Sequence, residues 1–150
     1  MAEIKPLRIG TTIPITEFES TDTIPVAHIP ARVATIMAVL DDGGGVLATG
    51  IKVRMVIDFA CTIQGITMVA DQTGSAVVDI WKDSYASYPP TDADSITASA
   101  PPTISSAIKS QDNTLTGWTV TVNAGDTLIW HVDSCSSITQ ICCALKVLKT

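Results

Sequence analysis

Charge is scarce in this 150-residue chain: Asp, Glu, Lys and Arg make up 16% of it, against about 25% in an average soluble domain, while 46% is hydrophobic. A surface so poor in charge needs cover, and association with other copies is the usual source of it. A Thr/Ser-rich polar surface is the alternative, and this sequence has that too. The charge present is mostly negative, net −6 with a pI near 4.6, so nothing draws the chain to nucleic acid or anionic lipid. No apolar run approaches the ~18 residues that span a bilayer, so no membrane insertion is expected. Met1 to Gly10 carries Glu3, Lys5 and Arg8 without an apolar core, so no secretory leader is expected there.

Catalytic residue types are equally thin. Histidine occurs twice, at His28 and His131, and neither a G-x-S-x-G elbow nor an H-E-x-x-H pair is present. His131, beside Trp130 and before Asp133, reads as a strand histidine bonded to a neighbour. Asp41-Asp42 and Asp92/Asp94 lie too close in sequence for two carboxyl groups held across a cleft. Asp92 and Asp94 with Ser95 lack the remaining ligands of a calcium loop. Gly43-Gly44-Gly45 has no following Lys-Ser/Thr and is not a phosphate loop. The cysteines, Cys61, Cys135, Cys142 and Cys143, show neither CxxC spacing nor histidine pairing, which argues against zinc. They read as free core thiols made in a reducing cytosol, with a Cys61–Cys135 bridge as the other possibility. No catalytic residue, metal or cofactor is therefore nominated.

What the chain does contain is β-strand pattern. Residues 1–30 carry Pro6, Pro14, Pro25 and Pro30, too closely spaced for a helix and awkward for an inner strand. Their isolated apolar residues, among them Ile13, Ile15, Phe18, Ile24 and Val26, have no fixed period. Such a segment reads as a docking arm lying on another surface, or alternatively as an edge strand of its own domain. Residues 31–150 read as one β-domain. Ala31 to Leu40 alternates and is β-branched, which favours a strand over a helix, and it stops at Asp41-Asp42-Gly43-Gly44-Gly45. Strands are expected over Ile51–Phe59, Thr62–Ala70, Gly74–Lys82, Asn113–Val122, Asp126–Val132 and Ile138–Lys149. Asp71-Gln72-Thr73-Gly74 has hairpin-turn chemistry, and Asn123-Ala124-Gly125-Asp126 makes a second turn. Asp83 to Lys109 reads as a long loop, functional or packed across a sheet. The natural closure is an all-β, antiparallel, jelly-roll-like sandwich carrying an extended N-terminal arm.

The central strand, Gly74 to Lys82, is apolar on both faces and runs into an aromatic, proline-rich loop. Tyr85, Tyr88, Pro89 and Pro90 are the candidate binding residues, because aromatic rings at the end of a β-domain can stack on sugar faces. The plainer reading is that the rings pin the loop to the sheet, and for Trp81 it is the stronger one. Trp118 and Trp130 lie in expected strands and read as core or subunit-interface residues.

Three segments carry a family likeness: GITMVADQTGSAVVDIWKDSYASYPPTDADSIT, PPTISSAIKSQDNTLTGWTVTVNAGDTLIWHVDS and the closing ALKVLKT. With DIWKD followed by YPP, then TLTGW and NAGD, residues 65–150 resemble a β-domain of tailed-bacteriophage and prophage structural proteins. That domain is often found at the C-terminal end of tail fibres or other appendages. Residues 15–25, ITEFESTDTIP, resemble a connector of such fibres. The resemblance implies a non-enzymatic virion component, commonly a homotrimer, assembled in the host cytoplasm. Its partners would be other virion proteins and, through the Tyr85–Pro90 loop, a host surface glycan. A fibre would have a long shaft, whereas here the arm leads almost directly into the head. A capsid decoration protein is therefore the alternative role, and a polysaccharide-degrading enzyme the remaining one.

Overall fold

The structure, a computed structural model, describes residues 32–150. The expected arm residues Ile13, Ile15, Phe18, Ile24 and Val26 lie outside the described residues. Within residues 32–150 the order is β1 (Arg32–Asp41), β2 (Gly50–Ile57), β3 (Cys61–Ser84), β4 (Thr103–Asp112), β5 (Thr121–Val122), β6 (Asp126–Ser136) and β7 (Gln140–Lys149). Every pairing is antiparallel, and all seven strands join one sheet. The expected all-β antiparallel class is therefore present. The sheet curls as a half-barrel rather than dividing clearly into the two layers of a jelly-roll sandwich.

The 24-residue strand β3 is the spine. Its first half pairs with β7, from Cys61↔Lys149 to Ala70↔Ile141. Its second half pairs with β6, from Ser75↔Ser136 to Ser84↔Asp126. β1 lies outside β7 and β2 outside β6, while β4 runs beside both halves of β3. Alternation decides which face is buried. In β1, Ile36, Ala38 and Leu40 point inward and Val33, Met37 and Val39 outward. A one-residue slip would expose the first set, at about 1.5–3 kcal/mol for each large apolar side chain, so the register is strongly held. Val78, Ile80, Ile104, Leu128, Trp130 and Ile141 form the centre of the core, each fully shielded from solvent.

Three expectations are corrected. Asp71-Gln72-Thr73-Gly74 is not a hairpin turn, because β3 runs straight through it. The Asp71 carboxylate turns outward and accepts from the Thr139 N–H (3.1 Å), the Gln140 N–H (3.0 Å) and the Thr139 hydroxyl (2.5 Å). It thereby braces the bend between β6 and β7, where Ser137 adopts φ +72°. Gly74 is required by close approach, since a Cβ there would meet the Ser136 carbonyl and lie 2.7 Å from Ile138 Cγ1.

The second correction concerns the expected loop Asp83–Lys109, whose last part is strand β4. TISSAIKSQD hides its strand character because both faces of β4 are largely solvated, with Ile104 its one buried side chain. The third concerns Asn113–Val122, which is mostly turn. Asp112 accepts from the N–H groups of Thr114 and Leu115, and Leu115 (φ +52°) and Gly117 (φ +81°) leave extended geometry, so only Thr121–Val122 pairs. The Asn123–Asp126 turn forms as expected, closed by the Asp126 N–H to the Asn123 carbonyl at 3.1 Å.

Candidate functional site

Residues 85–102 leave the end of β3 and return at β4. A buried carboxylate holds this excursion. Asp79 is only 6% exposed. Its Oδ1 accepts from the Ile80 N–H (2.7 Å), the Ser95 hydroxyl (2.8 Å) and the Thr97 hydroxyl (2.5 Å), and its Oδ2 accepts from Trp81 Nε1 (2.7 Å). A buried carboxylate is tolerable when every lone pair has a donor, and here four donors converge on it. The Ile96 N–H to the Ile80 carbonyl (2.9 Å) and the Trp118 indole to the Ala100 carbonyl (3.0 Å) complete the attachment. Trp81 stacks on His131 with ring centroids 4.6 Å apart, and His131 Nδ1 lies 2.7 Å from an Asp133 carboxylate oxygen. Trp81 is thus a loop pin, buried at 8% exposure, and Trp118 and Trp130 are core residues.

With its far end pinned, the start of the excursion projects two rings. Tyr85–Ser87 forms a single 3-10 turn closed by the Tyr88 N–H to the Tyr85 carbonyl, and the Tyr88–Pro89 peptide is cis. Tyr85 is 72% and Tyr88 46% exposed. Pro89 is exposed, whereas Pro90 turns inward and is buried. The two tyrosines form a wall of an open groove of about 440 Å³ that also takes in Arg54, Met55, Val56 and Thr127. Val56 and Thr127 are paired across β2 and β6, so the sheet supplies the floor. The Thr127 hydroxyl donates to the Asp83 carbonyl (3.0 Å), which ties the root of the aromatic turn to that floor.

Of the four nominated residues, then, the structure brings Tyr85 and Tyr88 into one groove and places Pro90 beneath the surface. Arg54 was not nominated. Its signal was the polar face of β2, where Lys52 and Arg54 alternate with Val53 and Met55. Lys52 is engaged by Asp42 at 2.6 Å, while no carboxylate pairs with Arg54 among the described residues. Asp79 was signalled as well, as one acid inside the apolar run VVDIW.

Asp94 is occupied structurally. Its carboxylate takes the Thr91 N–H and hydroxyl, both at 2.8 Å, and these bonds hold its pKa below the ordinary 3.8. Ser95 turns to Asp79 instead. No cluster of three His, Cys, Asp or Glu side chains suited to a metal occurs among the described residues. The four cysteines are free thiols. Chemically, the groove offers two ring faces, a guanidinium and an apolar floor. That set suits a ligand with both C–H faces and polar edges. No protein family, curated protein or solved structure matches this chain.

Proposed function

We propose that this chain is a non-enzymatic structural component of a virion, a short tail appendage. In this reading residues 1–30 dock on the tail or baseplate and residues 31–150 form the head that meets the host. The observation that carries it is the groove, where Tyr85 and Tyr88 stand exposed beside Arg54 at the end of a well-anchored excursion. The residue likeness over 65–150 supports the virion assignment. The ligand is a host surface glycan: rings cover sugar C–H faces while Arg54 reaches hydroxyl or acidic groups. Attachment is multivalent. A single site of millimolar strength gains about 10²–10⁴ through symmetric copies whose spacing permits joint engagement. The expected assembly is a homo-oligomer, a trimer by resemblance. With a second layer supplied by a neighbouring copy, the half-barrel would complete the jelly-roll-like sandwich.

Tyr85→Ala with Tyr88→Ala tests the reading. Losing two stacking rings at about 1 kcal/mol each weakens each site roughly 30-fold, and avidity multiplies the loss. Particles carrying both changes should adsorb poorly to host cells while the head keeps its melting temperature. Unchanged adsorption would remove the groove from the reading.

One observation favours the second role, a capsid decoration protein. Outward-facing Val33, Met37 and Val39 give the head an apolar strip suited to gripping a shell. Immunogold labelling of intact particles separates the roles: label at the tail end supports the appendage, and label over the whole head supports decoration.

A further inference from the structure

Strands β1, β2 and β4 each have one long edge to which no described strand is hydrogen-bonded. Two of these edges are blunted. The pairing of β2 slips between Ile51 and Val53, and the strand carries Lys52 and Arg54. The pairing of β4 shifts twice along β3, Ser106 sits at φ +48°, and Lys109 lies in the strand. Bulges and charges of this kind keep an edge from templating another strand.

β1 has none of them. Its ten residues pair with β7 without a single irregularity, from Arg32↔Lys149 to Asp41↔Gln140. Between Arg32 and Asp41 there is no charge, proline or glycine. Val33, Met37 and Val39 are 62%, 55% and 50% exposed along its outer face. A straight, apolar, uncharged edge is what sheet extension requires.

The charges at its ends select the occupant. Arg32 stands at one end, and at the other stand Asp41 and Asp42, the latter already bonded to Lys52. A parallel neighbour of the same sequence would set like charge against like. An antiparallel one sets Arg32 of each copy beside the acidic end of the other, where it joins Lys52 at Asp42. We infer that β1 is a self-association edge, on which a second copy of this chain adds its own β1 antiparallel about a two-fold axis normal to the sheet. Outer side chains must meet outer side chains, so a register centred on Met37 places it against Met37 of the second copy and Thr35 against Val39. About ten backbone hydrogen bonds would form, the number carried by an interface of ordinary size. The contact is isologous and closes on itself. Combined with a three-fold contact elsewhere on the chain it would give a dihedral hexamer. It does not depend on the groove or on the attachment role.

Sedimentation equilibrium of the full chain tests it. The expected mass is two or six chains. Met37→Lys places a charge on the outward side of β1 without touching the core, and the mass should fall at least two-fold. Thr35→Lys should do the same, while Ile108→Lys on β4 should not. Arg32→Glu, which makes both ends acidic, should weaken self-association at low ionic strength. A monomer, a trimer, or a mass insensitive to both lysine changes overturns the proposal. So does a wild-type monomer whose β1 edge amides resist hydrogen exchange, because that result assigns the edge to another segment of this chain.

Discussion

Replacing Asp79 with asparagine changes one atom and leaves the shape intact, yet the hydrogen bonds around it cannot all be re-made. Every partner of the carboxylate is a donor: the Ile80 N–H, the Ser95 and Thr97 hydroxyls on Oδ1, and the Trp81 indole on Oδ2. An asparagine brings two donors of its own. With its oxygen at Oδ1, its NH₂ faces the Trp81 N–H. Flipped, its NH₂ faces the Ile80 N–H. The hydroxyls can rotate, but the two N–H groups cannot. One buried donor is therefore stranded at about 1–3 kcal/mol, and the surviving bonds lose their charge assistance at roughly 0.5–1 kcal/mol each. The sum is about 2.5–6 kcal/mol. Urea unfolding at neutral pH reads this as a midpoint lowered by roughly 1–3 M at an m-value of about 2 kcal/mol/M. Proteolysis should also begin within residues 85–102, whose attachment runs through Ser95 and Thr97. A midpoint lowered by less than about 0.5 M would show that the four donors do not depend on the carboxylate, and the account of the pinned excursion would be wrong.

Three further outcomes are expected. Gly74→Ala drives a Cβ into the Ser136 carbonyl and Ile138, so the β6–β7 bend must shift; a loss of about 2–3 kcal/mol in the same unfolding assay is expected, and a neutral result would refute the close approach. Asp41, Asp42, Asp71 and Asp94 are held below the ordinary 3.8, first by the Gly43 N–H, the Lys52 ammonium, the Thr139 hydroxyl and the Thr91 N–H respectively. Because the folded values are depressed, the unfolded chain binds more protons in the acid range; melting temperature should be flat from about pH 7 to 5 and fall below about pH 4, less steeply in Asp71→Asn. Burial, with Cys142 adding to it, pushes the Cys143 thiol up to about 12. In native protein at about pH 8 roughly one in 10,000 such thiols is ionised, so alkylation read by mass spectrometry should spare Cys143 until urea is added.

The parts of the fold that could be read from the chain are those where burial enforces alternation. Ile36, Ala38 and Leu40 in β1, and Val78 and Ile80 in β3, stand out because one face or both must be apolar. The parts that were misread are those where a local signal serves a distant partner. Asp71 and Gly74 look like turn residues, yet one braces a bend more than sixty residues away and the other admits the backbone of that bend. TISSAIKS in β4 carries no period because both of its faces are largely solvated. TLTGW has strand composition, but Asp112 captures its backbone and Gly117 breaks the extension. In the groove, Tyr85 and Tyr88 could be nominated from aromatic density in a loop. Arg54 stands out only as part of the polar face of β2; it lies about thirty residues earlier and joins the tyrosines through the β2–β6 pairing.

The placement of β7 between β1 and β3 also has a consequence during synthesis. β1 leaves the ribosome before any other described strand, but its hydrogen-bonding partner, residues 140–149, is the last described segment to appear. At about 5–20 residues per second, the apolar strip Val33–Leu40 waits roughly 5–20 s with neither edge satisfied. The spine can pair early with β4 and β5 on one edge, but its other edge stays open until residues 126–149 arrive. β1, β2 and one edge of β3 therefore gain their native partners only when residues 126–149 have been made. Slow formation of the native sheet, with apolar strand exposed in the meantime, is the expected outcome of that order of strands.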